Sequence, residues 1–234
     1  MLKLRNWKLA ILAFLFIGIF TGLGCWQLSR ANYKKGLLKS FAERTQQTPL
    51  TAREMNSISD LRFYRVRLEG NFDYQHILFL DNKTFHGKVG YEVYIPFKAK
   101  GLDKAILVDL GFIPMGKHRE QLPSLVISSS HAEIMGMLNL PPTYFALGAI
   151  NESSHMTWPL RIEFINVSEL AKILNYPVFP YILSIAPKDP HALAIEWQVN
   201  IMSPEKHMGY ALQWFALAVT LLILFVVLNC ARKH

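Results

Sequence analysis

Residues 9–29 read LAILAFLFIGIFTGLGCWQLS, 21 positions without a charge, and this stretch decides the fold. A second uncharged run, MGYALQWFALAVTLLILFVVLNCA, covers the 24 positions from Met208 to Ala231. Each exceeds the roughly 20 residues a helix needs to cross about 30 Å of hydrocarbon. Their concentration explains how a mean hydropathy of +0.19 coexists with a net charge of +8. With 13 Gly, 12 Pro and 2 Cys in 234 residues, the chain is neither collagen-like nor a disulfide scaffold. The residues between the runs are numerous enough for one domain with its own core. The expected class is a membrane protein in which two transmembrane helices flank one extracytoplasmic α+β domain. The expected organisation is a cytoplasmic tail at 1–8, a span at 9–29, the outer domain at 30–207, a span at 208–231 and a tail at 232–234.

The charges orient it. Lys3, Arg5 and Lys8 precede the first span, Arg232 and Lys233 follow the second, and neither tail holds an acid. Basic short tails stay on the cytoplasmic side, so both ends are expected inside. The loop keeps 20 basic against 17 acidic residues and is too long to weigh in that rule. A balance this even, without a basic stripe interleaved with aromatics, points away from nucleic acid. The first run is longer than a signal-peptide core and ends in Gly24-Cys25-Trp26-Gln27 rather than Ala-x-Ala, so it reads as a retained anchor. The absence of an Arg- and Ser-rich leader favours a bacterial inner membrane, with the domain in the periplasm, over a mitochondrial one. Cys25 and Cys230 fall at opposite ends of the two spans, which excludes a disulfide between them and leaves the outer domain without a thiol.

Within the outer domain, Tyr33, Leu37, Leu38 and Phe41 continue the first helix amphipathically toward Gln47, and Thr48-Pro49 ends it. Charged and apolar residues alternate from Phe63 to Phe72, the pattern of a half-exposed strand. Further strands are expected at 76–80, 89–97, 105–113, 131–140, 161–165, 181–186 and 194–201. A short helix is expected at 168–174 with Ser168 as its N-cap. These elements suggest an antiparallel sheet or a small barrel.

Chemistry is sparse in that domain. It lacks G-x-S-x-G, Walker, H-E-x-x-H and C-x-x-C motifs, and His76, His86, His118, His131, His155 and His191 are scattered without ligand spacing. Hydrolysis, transport and sensing are poorly supported, since two short tails and two spans offer neither an output domain nor a midplane pathway.

The span edges say more. His207, Tyr210, Ala211, Trp214 and Ala218 share one helical face. Gly18, Gly22, Trp26 and Arg30 form a stripe on the first helix with Gln27 beside it, and Gly18-x-x-x-Gly22 permits close helix approach. An aromatic belt with a snorkelling Arg and an interfacial His accounts for part of this set. His207 and Gln213 need polar partners at such a depth. A flat apolar ligand with acidic substituents also suits the set: haem iron takes a neutral His nitrogen, rings pack on a porphyrin, and Arg pairs with propionates.

GLGCWQLSRANYKKGLL at 22–38 and HMGYALQWFALA at 207–218 resemble the two signature regions of the Surfeit locus protein 1 (Shy1-type) family. GYEVYIPF at 90–97 and ILVDLGFIP at 106–114 resemble its middle strands, although Asp109-Leu110 stand where the family usually has Asn-Arg. The resemblance implies a non-enzymatic assembly factor for cytochrome c oxidase that aids insertion or stabilisation of haem a. It implies His207 as the haem ligand, with Trp26, Gln27, Arg30, Tyr210, Gln213 and Trp214 around it. The implied partners are the oxidase subunit carrying haem a, the enzymes that make haem a, and membrane lipid. The competing class is a membrane-anchored scaffold without a cofactor.

Overall fold

The computed structural model describes residues 7–116, 121–125, 129–142, 157–197 and 202–230. Lys3, Arg5, His118, His155, Arg232, Lys233 and positions 126–128 of the 122–130 loop lie outside the described residues. The chain divides into two compact units, one holding the terminal helices and the other spanning Phe41–Gln198.

The first unit contains α1 (Trp7–Arg44) up to Ser40, and α4 (Pro204–Cys230). Both helices are long and apolar enough to cross a membrane. At 38 residues, α1 runs for roughly 57 Å, so it exceeds one bilayer core and carries the expected amphipathic extension. It ends at Arg44, a little before the expected stop. Pro204 opens α4, where a missing N–H costs nothing, and Glu205 suits the positive end of the helix dipole.

Among the described residues, the second unit is built on seven strands: β1 (Arg65–Phe72), β2 (Leu78–Phe85), β3 (Lys88–Ala99), β4 (Ala105–Pro114), β5 (His131–Asn139), β6 (Leu160–Ile162) and β7 (Val178–Ile185). The sheet runs β1-β5-β7-β4-β3-β2-β6, and β1 also pairs with β3. That extra pairing closes β1, β5, β7, β4 and β3 into a five-stranded barrel. The 12 residues of β3 make closure possible. One edge of β3 pairs with β2 from Lys88 to Tyr94, and the same edge then pairs with β1 from Phe97 to Ala99.

The expected small barrel is therefore present, but it is not antiparallel throughout. β4 and β7 pair in parallel, as do β2 and β6. The crossover into β7 carries α3 (Val167–Leu174), and a parallel return needs such a connection. Side chains on the inner faces, among them Val66, Leu68, Ile95, Phe97, Val108, Ile134 and Leu183, form the barrel core. Leu78, Leu80, Tyr94, Leu107 and Ile182 form a second core with Leu170 and Leu174 of α3. Burial on both faces explains the unbroken apolar run Ala105–Val108, whereas β1, with one face in solvent, keeps its alternation.

Two local expectations are corrected. The N-cap of α3 is Asn166, whose Oδ1 accepts from the amides of Ser168 at 3.1 Å and Glu169 at 3.2 Å. The strand expected at 194–201 reduces, among the described residues, to one bridge between Phe112 and Ala194. A short helix, α2 (Ala52–Met55), was not anticipated; Thr51 and Glu54 form its capping box.

Candidate functional site

The first unit brings α1 and α4 together along a narrow face. On α4 the buried positions among the described side chains are Pro204, His207, Ala211 and Ala218, which share one stripe. On α1 they are Ala10, Gly24 and Ala31. The expected Gly18-x-x-x-Gly22 contact does not form, since a side chain at either glycine would meet open space. A Cβ on Gly24 would instead fall 2.6 Å from the Phe215 ring. At 100° per residue, Gly24, Gln27 and Ala31 fall within about 60° of one another, while Gly18 sits about 120° from Gly24 and about 180° from Gln27.

His207 is 8% exposed and sits in the opening turns of α4. Its Nδ1 lies 2.8 Å from Oε1 of Gln27. An amide oxygen only accepts, so Nδ1 carries the proton and donates it. The other ring nitrogen, Nε2, is then the basic one, and it is buried without a hydrogen-bond partner. A neutral imidazole held by one nitrogen and free at the other is the form that ligates a metal. Two turns along α4, the half-buried Trp214 stacks on Phe20 of α1, with ring centroids 5.7 Å apart and planes 29° apart.

Of the seven residues expected at the site, the structure therefore assembles His207, Gln27 and Trp214. Trp26 is 54% and Tyr210 46% exposed, and Arg30 and Gln213 are also exposed. The Arg30 guanidinium lies over Tyr33, 5.7 Å from the ring centroid. Trp214 takes Phe20 as its ring partner rather than Trp26. Phe20 and Gly24 were missed from the sequence, although each falls on the Gln27 face at helical spacing.

The Asp109-Leu110 pair lies in β4. Leu110 is buried in the barrel core. The Asp109 carboxylate accepts from the Gly111 amide at 2.9 Å and from the Ser184 hydroxyl at 3.3 Å. Burial, and next the charge of Glu92, push this carboxyl up to about 7. Among the described residues no group of three or more His, Cys, Asp or Glu side chains is arranged to hold a metal ion.

The family model described as SURF1 family matches residues 14–219. The chain is 28% identical over 230 residues to a SURF1-like protein of Rickettsia conorii, covering 94% of this chain and 90% of that one. It is 26% identical over 215 residues to Surfeit locus protein 1 of Mus musculus, covering 84% and 67%. Against Surfeit locus protein 1 of Homo sapiens it is 24% identical over 217 residues, covering 84% and 69%.

Proposed function

The chain belongs to the SURF1 family, and on that premise we propose that it is a non-enzymatic assembly factor for cytochrome c oxidase that holds haem a in transit. The two apolar helices anchor it in a bacterial inner membrane with both termini inside and the barrel domain in the periplasm. Its partners are the oxidase subunit that receives haem a and the enzymes that make it.

One observation carries the cofactor: a buried imidazole whose Nδ1–H is committed to Gln27 and whose Nε2 has no partner. The donor set suits a haem iron, which accepts one neutral His nitrogen and needs apolar surroundings. His207 would supply the ligand, Gln27 would fix the ring, and Phe20 and Trp214 would furnish aromatic surface. Arg30 remains exposed and available for a propionate. The bound group brings its own redox iron, and the protein adds no bond-making chemistry. Because Nε2 is covered, neighbouring side chains must give way before it can ligate, a property suited to cargo that is released again.

The test is the visible absorption spectrum of protein purified from cells that make haem a, with oxidase activity measured in the same cells. Wild type should carry haem a, and His207→Ala should lose it and lower oxidase activity while still inserting. Full haem with an unchanged spectrum in the variant would remove the ligand role. Haem retained while oxidase activity is lost would favour a docking surface without a cofactor.

A further inference from the structure

The uncharged run of α1 ends at Ser29, but the helix continues to Arg44. The charges that open this extension are all basic: Arg30, Lys34 and Lys35, with Lys39 one turn further out and engaged in a contact of its own. No Asp or Glu occurs in the chain before Glu43. The partner helix does not balance them, because α4 brings one acid, Glu205, beside one base, Lys206. It is also too short to cover them. α4 opens at Pro204, one turn before His207, and His207 meets Gln27, so α1 outruns it from about Ala31, the last buried residue of α1.

With the hydrocarbon edge at Ser29, depth follows from helix geometry. The headgroup layer adds about 5–7 Å on each side of the hydrocarbon core. That is roughly four or five residues of a helix rising about 1.5 Å per residue. Arg30, Tyr33 and Lys34 fall within the layer, and Lys35 at its rim. Tyr33 is 50% exposed and gathers two of the cations. The Arg30 guanidinium lies 5.7 Å and the Lys34 ammonium 5.8 Å from its ring centroid. Arg30 and Lys34 are also i, i+4 neighbours, where like charges repel and weaken a helix. An anion seated between them turns that repulsion into attraction.

We propose that Arg30, Lys34 and Lys35 bind the phosphodiester headgroup of an anionic phospholipid at the barrel-domain end of α1, with Tyr33 holding the first two cations together. The site rests on the membrane anchoring proposed above. The phosphate oxygens accept from the guanidinium and ammonium groups, a charge-assisted pairing. A zwitterionic lipid is disfavoured, because its own ammonium would meet three positive charges with no acid beside them in the helix. Arg30 is also the residue offered to a haem propionate, so Lys34 and Lys35 carry the test.

The experiment is native mass spectrometry of the full chain released from micelles that hold phosphatidylglycerol and phosphatidylcholine with identical acyl chains. A basic residue near the lipid surface strengthens anionic-lipid binding about 5-fold. Wild type should therefore prefer phosphatidylglycerol, and Lys34→Gln/Lys35→Gln should bind it about 25-fold more weakly with phosphatidylcholine unchanged. Lys34→Arg/Lys35→Arg keeps both charges and should keep the preference. Equal affinities in wild type, a preference that survives the Gln variant, or one lost as fully in the Arg variant would each overturn the site. Displacement of phosphatidylglycerol by inorganic phosphate would assign the cluster to a soluble anion and overturn it as well. If the Gln variant fails to insert, the wild-type preference and its fall with rising salt decide alone. A chain that retains neither lipid would instead refute the membrane anchoring, and this site with it.

Discussion

His207 and Gln27 stand 180 positions apart in the chain, and their side chains meet at 2.8 Å. Nothing local in either helix demands this contact. It joins the opening of α4 to the middle of α1 and fixes which imidazole nitrogen carries the proton.

Replacing Gln27 with Leu should release the ring while keeping the helix, since Leu is a good helix former. Outer hydrogen bonds of this kind set ligand affinity, so haem a affinity should fall about 10- to 100-fold. Gln27→Glu keeps an acceptor and should lose less. Absorption titration of the purified variants checks both, and wild-type affinity in Gln27→Leu would remove the positioning role.

Asp60 should make the barrel domain acid-sensitive. Arg62 grips it with Nε at 2.9 Å and Nη2 at 3.0 Å, and Arg44 adds a contact at 3.2 Å. The Arg62 hydrogen bonds outweigh burial and hold the carboxyl down at about 2, against an ordinary 3.8. A depressed acid contributes stability above its unfolded pKa and loses it as pH falls, so the loss should occur between about pH 4 and pH 2. With this carboxylate partly exposed, solvent screening leaves about 1 kcal/mol. Denaturant midpoints of wild type and Asp60→Asn should differ at pH 6 and converge near pH 2.

Asp109 should act in the opposite sense. A carboxyl raised to about 7 keeps its proton in the folded state where the unfolded chain has lost it. Stability then declines as pH rises from about 4 to 7 and levels off above. Asp109→Asn, the residue usual in the family pattern, cannot ionise. It should flatten that decline and stabilise the domain at pH 8 by about 1–3 kcal/mol. Melting temperatures at pH 5 and pH 8 test it, and a variant no more stable than wild type at pH 8 would contradict it.

Gly70 sits on the seam that closes the barrel, opposite Ala99. A Cβ there would fall 2.2 Å from the Lys98 carbonyl oxygen, which is backbone and cannot step aside. Gly70→Val should force β1 off β3 and cost about 2–4 kcal/mol. The amide of Lys100, which donates to the Glu69 carbonyl at 2.8 Å, should lose protection from hydrogen exchange. Gly36→Ala, inside α1 with nothing near its Cβ, serves as the control and should not lower the melting temperature, since Ala favours the helix over Gly.

How much of this was legible differs by element. The two long apolar helices and the alternation of β1 follow from residue type at fixed spacing, which local physics determines. The direction of β7 does not, because a strand buried on both faces has the same pattern beside a parallel or an antiparallel neighbour. Asn166 and Ser168 are both good caps, and only the position of the first helical turn chooses between them. Gly18-x-x-x-Gly22 and Gly24 offer alternative close approaches on one helix, and α4 decides by placing Phe215 against the second. The state of His207 was invisible because Gln27 was known only as a neighbour of a stripe.

Among the described residues, the strand that completes the barrel is also the last one synthesised. β7 lies between β4 and β5, pairing with one in parallel and with the other antiparallel. Until residue 185 leaves the ribosome, the edges of β4 and β5 that β7 takes in the folded domain lack that partner. A growing chain therefore carries two sticky edges through most of its emergence and loses both in one step, shortly before α4 follows. Premature stops anywhere upstream of Val178 should yield aggregating fragments rather than a smaller folded domain.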